Sequence, residues 1–262
     1  MSFSVGVVPY LNASPLTAAL PDFVRLETAV PAELARRLSR GELDVALLPV
    51  AEALKGGFGP FVGRFGIACD GAVESVLAFV PAGGEPVTWP LDVVVDPASR
   101  TSVALLRVLL ERRWGLAPRY RVAPAPGPDP REHPASITLT IGDRALAVRT
   151  GYPGRVVDLG AEWKAWTGLP FVFARWTARV GADAALVEAL ARTLDGAAQR
   201  GLERRDELAA DHGPAHGLTS AQARRYLSTS IRFALGERAE AGLARFREEL
   251  ARLGPGPDGA TP

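Results

Sequence analysis

The sequence is poor in cysteine, in histidine and in net charge. Of its 262 residues one is cysteine and three are histidine, and 30 basic side chains against 29 acidic ones leave a net charge of +1. A single cysteine, Cys69, excludes an internal disulfide, and we expect it to be a buried free thiol. Because the charges nearly cancel, nothing indicates a nucleic-acid partner held by bulk charge.

Several kinds of functional segment are also missing. There is no G-x-x-x-x-G-K-[ST] motif and no strand-linked G-x-G-x-x-G motif, so no phosphate-binding loop is predicted. The histidines lie in loops rich in glycine or proline, and their spacing to Cys69 and to carboxylates does not suit a metal site. We therefore expect solvated histidines, no metal and no cofactor. These residues are His133, His212 and His216.

The amino terminus has neither a basic segment nor a long apolar segment, and no run in the chain is long enough to span a bilayer. The stretch "MSFSVGVVPY" begins directly with a strand pattern. We therefore expect a cytoplasmic protein with no membrane partner.

What is present is an alternation of strand and helix patterns. The apolar runs "FSVGVVPY" and "LDVALLPV" predict buried strands, and "VPAELARRLSRG" predicts an amphipathic helix between them. Strands separated by helices indicate an α/β fold with a mostly parallel sheet. A second series follows Gly83-Gly84-Glu85-Pro86, and from Asp183 onward the patterns are helical, with breaks at "DHGPAHG" and near "STSIRFALG".

This order predicts one α/β lobe interrupted by another. We assign residues 1–82 to the first part of lobe one, 83–174 to lobe two, 175–253 to a mainly helical return to lobe one, and 254–262 to a disordered tail. Two crossovers would leave an interlobe cleft that closes by a hinge on a small ligand. Ligands of α/β sheets bind beyond the carboxyl ends of strands, which selects the loops "PYLNASP", "DPASRTS" and "IGDR".

The segment Ser99-Arg100-Thr101-Ser102 lies at the start of an amphipathic helix. Serine and threonine are favoured there as caps, and the local sequence by itself favours that explanation. The free N–H groups, the helix dipole and the fork of Arg100 would equally form a carboxylate-binding site. Asp96 and Asp143 are alternative partners for Arg100.

The other candidate residues have structural explanations as well. Asn12 precedes Ser-Pro, a context that favours turns. Ser75 can face solvent on a strand, Asp143 can cap the helix that follows it, and Tyr10 can be a wall of the core.

Six segments then form a pattern in a fixed order: "YLNASPL", "GELDVALLPVAE", "CDGAVESV", "SRTSVALLRVLL", "IGDRAL" and "WKAWTGLPFVFARW". Together they resemble the chorismate dehydratases of the futalosine route to menaquinone, over roughly Val5 to Trp176, and the helical C-terminal part also fits. The resemblance implies a fold similar to that of type II periplasmic solute-binding proteins, in agreement with the two predicted lobes.

The reaction that the resemblance implies is a carbon–oxygen lyase step, the loss of water from the dianion chorismate to give 3-[(1-carboxyvinyl)oxy]benzoate. Removal of the C3 proton gives an extended enolate, and expulsion of the C4 hydroxyl makes the ring aromatic. Because this step is steeply downhill, the protein mainly has to hold the substrate and stabilise charge, without a metal or a redox cofactor.

The resemblance also implies site residues. It assigns the chemistry to Asn12 and Ser75, each of which would hydrogen-bond the leaving hydroxyl or a carboxylate. The base is then the enolpyruvyl carboxylate of the substrate or, alternatively, Asp143. The "SRTS" segment becomes the best candidate for binding a substrate carboxylate. The expected substrate-binding residues are Tyr10, Leu11, Ser99, Arg100, Thr101, Ser102, Gly142 and Asp143.

Three alternatives come from other classes of protein. A non-catalytic solute-binding protein for small carboxylates would share the fold, but the missing signal peptide and the segments "SRTS" and "YLN" argue against it. The related 1,4-dihydroxy-6-naphthoate synthase uses a histidine base in its family, and no histidine here lies in a predicted cleft loop. The sensor domain of a transcription regulator would need a DNA-binding segment, which this sequence lacks.

Overall fold

The computed structural model describes residues 2–82 and 91–254. Within them the chain forms eleven strands: β1 (Phe3–Val7), β2 (Val24–Thr28), β3 (Val45–Pro49), β4 (Phe61–Cys69), β5 (Val76–Val80), β6 (Asp92–Val95), β7 (Arg119–Val122), β8 (Ile137–Ile141), β9 (Arg155–Asp158), β10 (Phe171–Ala178) and β11 (Arg232–Ala234).

The α-helices of the same residues are α1 (Ser14–Thr17), α2 (Pro31–Ser39), α3 (Val50–Ala53), α4 (Arg100–Arg107), α5 (Gly142–Val148), α6 (Leu159–Thr167), α7 (Ala184–Glu203), α8 (Arg205–His212), α9 (Ser220–Arg225) and α10 (Glu237–Leu250). Wider π-helical turns continue α4 over Val108–Arg113 and α9 over Tyr226–Ser230. In the described ranges, no helix combines the length and the apolar character that a bilayer crossing needs.

The chain divides into two compact units. Unit 1 comprises the described residues of Met1–Ala68 and Val172–Glu237, and unit 2 comprises those of Cys69–Phe171 and Arg238–Pro262. The chain therefore leaves unit 1 at the end of β4 and re-enters it at the start of β10.

Unit 1 is built on a six-stranded sheet in the order β11-β4-β10-β3-β1-β2. Strand β1 is parallel to β2 and to β3, whereas β10 runs antiparallel to β3 and β11 antiparallel to β4. Helix α2 buries Leu34 and Leu38. It lies so close to β1 that a Cβ at Gly6 would meet the side chain of Leu34 at 2.8 Å. This glycine allows the helix to pack directly on the strand that leads to the "YLN" segment.

Unit 2 is built on a five-stranded sheet in the order β7-β6-β8-β5-β9. Strand β6 is parallel to β7 and β8, and β5 runs antiparallel to β8 and β9. One face buries Leu77 and Phe79 of β5 against Ala145 and Val148 of α5. Each unit therefore contains a mixed sheet rather than the mostly parallel sheet expected. The antiparallel pairs are those that β5, β10 and β11 form with their neighbours.

The unit boundaries differ from the expected lobe boundaries at two places. Strand β5 was expected in lobe one, but it pairs with β8 and β9 in the sheet of unit 2. Helix α10 was expected to return to lobe one, but Phe246 packs edge-on against Trp163 and Phe171 of unit 2, with ring centroids 6.0 and 4.8 Å apart. The predicted start of lobe two at residue 83 and most of the predicted tail fall on residues 83–90 and 255–262, outside the described residues.

Local sequence chemistry accounts for most of the helix ends. Gly41 and Gly168 follow α2 and α6 with a φ of 72° each, as helix-ending glycines do. The pair Ser14-Pro15 suits a helix start with Ser14 as the cap. Ser14 is instead the first residue of α1, because the 3₁₀ turn Leu11–Ala13 precedes the helix and the Ser14 hydroxyl donates to the Leu11 carbonyl at 2.8 Å. The short strand β11 lies where the sequence indicated only a break.

Candidate active site

Most of the candidate residues of unit 2 lie at one edge of its sheet. Strands β6 and β8 are parallel neighbours, and β5 runs antiparallel to β8 with Val76 opposite Ile141. The carboxyl ends of β6 and β8 therefore meet the amino end of β5. The structure thereby brings together the segment Ser99–Ser102, the pair Gly142-Asp143 and Ser75, which were selected from three separate stretches of sequence.

Ser75 and Gly142 are joined directly. The N–H of Gly142 donates to the Ser75 carbonyl at 2.7 Å. Gly142 has a φ of 62°, a conformation that glycine adopts without strain, and it turns the chain from β8 into α5. Its N–H is thus engaged within the protein, and Gly142 shapes the turn. Ser75 is only 2 % exposed, so the alternative in which it faces solvent is wrong.

The loop before Ser75 is held by Asp158, the N-cap of α6. Its carboxylate accepts the N–H groups of Val73 at 3.1 Å, of Glu74 at 2.7 Å and of Ala161 at 3.0 Å. Glu74 has a φ of 63° and is the one non-glycine residue with positive φ in the described part of the chain. Backbone strain of this kind costs about 1–3 kcal/mol and often occurs beside functional residues. Burial raises the pKa of Asp158, while the backbone N–H donors oppose that rise.

Sequence analysis did not predict these three hydrogen bonds of the Asp158 carboxylate. An acidic residue between a strand pattern and the helix "AEWKAWTG" is a helix-start signal that would have found Asp158 as a cap. Nothing local indicates its bonds to Val73 and Glu74, because these join residues about 85 positions apart.

The start of α4 combines a helix cap with buried hydroxyl groups. The Ser99 hydroxyl oxygen accepts the Ser102 N–H at 3.2 Å, so the predicted cap is present. Ser99, Thr101 and Ser102 are buried, whereas Arg100 is exposed. A buried serine and threonine in the first turn add hydroxyl donors to the N–H groups and positive dipole of a helix start.

The loop between β6 and α4 is held by Asp96. Its carboxylate accepts the N–H groups of Ala98 at 2.8 Å and of Gly127 at 3.0 Å. Burial raises the pKa of Asp96, against the effect of these two donors. Asp143, in contrast, lies in the first turn of α5, where Ile141 occupies the cap position without a side-chain bond. Asp143 is therefore not the helix cap that the sequence offered as its alternative role.

The "YLN" segment of unit 1 directly follows β1. Tyr10 is extended and half-buried, and it precedes the 3₁₀ turn Leu11–Ala13. The Leu11 side chain is fully buried and packs in the core of unit 1. The candidate residues of unit 1 are thus the consecutive residues Tyr10, Leu11 and Asn12, which lie at the start of this 3₁₀ turn.

Asn12 carries the feature of unit 1 that best indicates a ligand. Its Nδ2 donates to the hydroxyl of Tyr226 at 3.0 Å. Its Oδ1 is buried and has no hydrogen-bond partner among the described residues. A buried acceptor of this kind costs about 1–3 kcal/mol unless a donor reaches it. Asn12, the only asparagine in the sequence, was already a candidate from the family resemblance. No sequence pattern indicated its partner Tyr226.

Two further features of the structure concern the thiol of Cys69 and the grouping of side chains that can bind a metal. It is a buried free thiol, as expected, and burial together with the Asp158 carboxylate raises its pKa to about 12. Among the residues that the structure describes, no three His, Cys, Asp or Glu side chains are grouped so that they could hold a metal ion.

Comparison with solved structures shows the fold class of this protein. Protein AF1704 of Archaeoglobus fulgidus superposes with a TM-score of 0.76 at 14 % identity, covering 96 % of this chain and 97 % of that one. The periplasmic aliphatic sulphonate-binding protein SsuA of Escherichia coli gives a TM-score of 0.65 at 12 % identity, covering 96 % and 87 %. The chain thus has the α/β fold of periplasmic binding proteins, as predicted.

Sequence comparisons define the family. A family model described as menaquinone biosynthesis matches residues 3–252, and the chain belongs to this family. Chorismate dehydratase of Thermus thermophilus is 32 % identical over 279 aligned positions, which cover 95 % of each chain. Chorismate dehydratase of Campylobacter jejuni is 27 % identical over 181 positions and 66 % of each chain. The predicted family is thereby confirmed.

Proposed function

We propose that this chain is a chorismate dehydratase, a carbon–oxygen lyase that removes water from chorismate and forms 3-[(1-carboxyvinyl)oxy]benzoate for menaquinone biosynthesis. The observation that carries the proposal is the 32 % identity to the Thermus thermophilus dehydratase over 95 % of both chains. We expect the protein to act in the cytoplasm on this small molecule, with neither nucleic acid nor membrane as a partner.

The start of α4 is the proposed site for one carboxylate of the substrate. The first-turn N–H groups, the hydroxyls of Thr101 and Ser102 and the guanidinium of Arg100 are all donors, and a carboxylate is purely an acceptor. The Ser99 oxygen accepts the Ser102 N–H, while its O–H hydrogen is still a donor. Ser99 therefore fixes the helix start and, like its neighbours, has a donor for the substrate carboxylate.

Asn12 is the proposed contact for the C4 hydroxyl. The carbonyl oxygen Oδ1 of its side chain has no hydrogen-bond partner in the described part of the chain. An acceptor pairs with a hydroxyl and not with a carboxylate, so this observation favours one of the two partners that the sequence had left open for Asn12. Ser75 has a hydroxyl that can donate, and we assign it to the charge that develops as the C4 oxygen leaves.

The proton at C3 needs a base. We propose that the enolpyruvyl carboxylate of the substrate takes it, with Asp143 as the alternative within the protein. The enolate that forms is stabilised through the ring carboxylate. The C4–O bond then breaks, the electrons of the enolate complete the aromatic ring, and the departing hydroxide takes the proton that the base removed from C3, which gives one molecule of water. Holding the substrate in the reactive geometry is then the main contribution of the protein.

The test is incubation of the purified protein with chorismate and no added cofactor, followed by chromatography with mass detection. We expect an aromatic product lighter than chorismate by one water, at a rate proportional to protein concentration. The doubly substituted variant Asn12→Ala/Ser75→Ala, purified in the same way, controls for contaminating enzymes. Unchanged chorismate that nevertheless raises the melting temperature would contradict the lyase and favour a binding protein.

A further inference from the structure

Tyr226 lies at a point where a helix changes its winding. Helix α9 opens with a capping box, in which the Thr219 hydroxyl oxygen accepts the Gln222 N–H at 3.2 Å and Gln222 Oε1 accepts the Thr219 N–H at 2.9 Å. After Arg225 the helix widens into the π-helical turn Tyr226–Ser230, closed by the Ile231 N–H on the Tyr226 carbonyl at 3.2 Å. Such wide turns are rare, and many occur at functional sites.

The Tyr226 side chain is 2 % exposed, and its hydroxyl accepts the Asn12 Nδ2 hydrogen bond across 214 positions of sequence. Both residues belong to unit 1. A phenol that is buried this fully needs a polar partner for its oxygen, and the Asn12 amide supplies one. The bond ties the turn after β1 to the turn before β11.

We propose that Tyr226 is a positioning residue, which fixes the Asn12 amide so that Oδ1 is presented to the hydroxyl of the substrate. The inference rests on the proposed dehydration and adds to it a residue that acts through Asn12. With Nδ2 bound to the phenol, the amide has one orientation, and its Oδ1 is buried with no hydrogen-bond partner among the described residues. Without the phenol oxygen, Nδ2 is a buried donor that has lost this acceptor. The amide then rotates about its side-chain bond to find another hydrogen-bond partner, and Oδ1 moves with it.

The orientation of the Asn12 amide decides whether this residue binds a hydroxyl or a carboxylate. An amide held in this orientation accepts from a hydroxyl, whereas the reversed amide would donate to a carboxylate. Tyr226 thereby makes the Asn12 position specific for the alcohol of chorismate rather than for either of its acid groups. The effect should fall on turnover more than on substrate binding, since the carboxylates are assigned to the start of α4.

Four variants test the inference with chorismate as the substrate: Tyr226→Phe, Asn12→Ala, the double variant of these two, and Tyr152→Phe as the matched control. Tyr152 packs its ring on Phe79 in unit 2 at a centroid distance of 5.0 Å, so this control loses a phenol oxygen without affecting Asn12. Misplacing a reactive contact by about 1 Å costs up to ~100-fold in rate. We expect Tyr226→Phe to lower kcat roughly 10- to 100-fold, with a melting temperature lowered by no more than a few degrees and with KM changed far less.

The double variant gives the decisive result. If Tyr226 acts through Asn12, adding Tyr226→Phe to Asn12→Ala causes no further loss of kcat, because nothing remains to be positioned. Losses that multiply in the double variant, or a Tyr226→Phe enzyme with the kcat of the wild type, would overturn the inference while leaving the proposed function intact. A wild-type protein that does not turn over chorismate overturns the proposed function, and the inference falls with it.

A second substitution separates positioning from packing. Tyr226→Met fills much of the same apolar volume without a hydroxyl. We expect it to fold and to lose kcat as Tyr226→Phe does. A loss confined to whichever variant has a lowered melting temperature would assign Tyr226 a packing role and contradict the inference.

Discussion

The carbonyl of Ser75 and the N–H of Gly142 meet at 2.7 Å, where β5 begins and β8 ends. This main-chain bond joins two segments that were selected independently as candidates. Because Ser75 also follows a loop that Asp158 clamps through Val73 and Glu74, its backbone is fixed from both sides. Fixed positions of this kind are what an enzyme needs when catalysis depends on holding one conformer of a substrate.

Removal of either proposed catalytic side chain should abolish most of the turnover and spare the fold. We expect Asn12→Ala and Ser75→Ala each to lower kcat about 100-fold or more. Loss of the Ser75 hydroxyl removes a donor to the developing charge, and loss of the Asn12 amide leaves the C4 hydroxyl out of position. Ser39→Ala, which removes an exposed hydroxyl bonded to the Arg36 carbonyl, serves as the control for Ser75. Near wild-type kcat in both variants would disprove the assignment of the site.

The identity of the base can be tested at Asp143. If the substrate carboxylate takes the C3 proton, Asp143→Asn should keep kcat within about 10-fold of the wild type, since only local electrostatics change. Loss of kcat by several orders of magnitude, with chorismate still bound in a calorimetric titration, would instead identify Asp143 as the base.

Arg100 should contribute to binding rather than to chemistry. A hydrogen bond to a charged group contributes about 1.5–3 kcal/mol, and exposure of Arg100 places it near the lower end of that range. We expect Arg100→Ala to raise KM roughly 10-fold with little change in kcat, and to weaken the dependence of KM on salt. Arg155 of β9, which is also exposed, provides the control, and Arg155→Ala should leave KM unchanged. An Arg100→Ala variant that loses kcat at constant KM would contradict this role.

Cys69 should be unreactive in the native protein. Burial raises the pKa of its thiol to about 12, so that almost no thiolate exists at pH 8. We expect iodoacetamide to leave Cys69 unmodified in buffer and to alkylate it fully in denaturant, as followed by intact-protein mass. Alkylation of the native protein at the rate of a free thiol would show that Cys69 is accessible.

The dependence of stability on pH follows from Asp96 and Asp158. Burial raises the pKa of both carboxyls above 3.8 in the folded protein. The folded state therefore binds the proton more tightly than the unfolded state, and this stabilising contribution is lost as the pH rises through the folded pKa. We expect the free energy of unfolding of the wild type, measured relative to Asp158→Asn, to increase as the pH falls from 7 towards 4. Urea titrations at each pH measure it, and a decrease would mean that the folded pKa is lowered.

The sequence was sufficient for features that depend on neighbouring residues. The glycine after α6, the cap at Ser99 and the apolar strands all follow from local chemistry, and the structure contains them. Strand β5 was assigned to the wrong unit because its pairing with β8 depends on residues some 60 positions away. The contacts of Tyr226 and Asp158 were missed for the same reason. The roles of Asn12 and Ser75 came from the family resemblance, and only geometry indicates which atom of Asn12 is left for a ligand.

The discontinuity of both units has a consequence for synthesis on the ribosome. When Phe171 has been made, unit 1 still lacks β10 and β11, and unit 2 still lacks α10, whose Phe246 completes the ring cluster with Trp163. Unit 1 cannot reach its final packing before β11 leaves the exit tunnel, and unit 2 cannot do so before α10 leaves it. The nascent chain therefore carries two unfinished apolar cores through most of translation, a period in which we expect it to depend on chaperones.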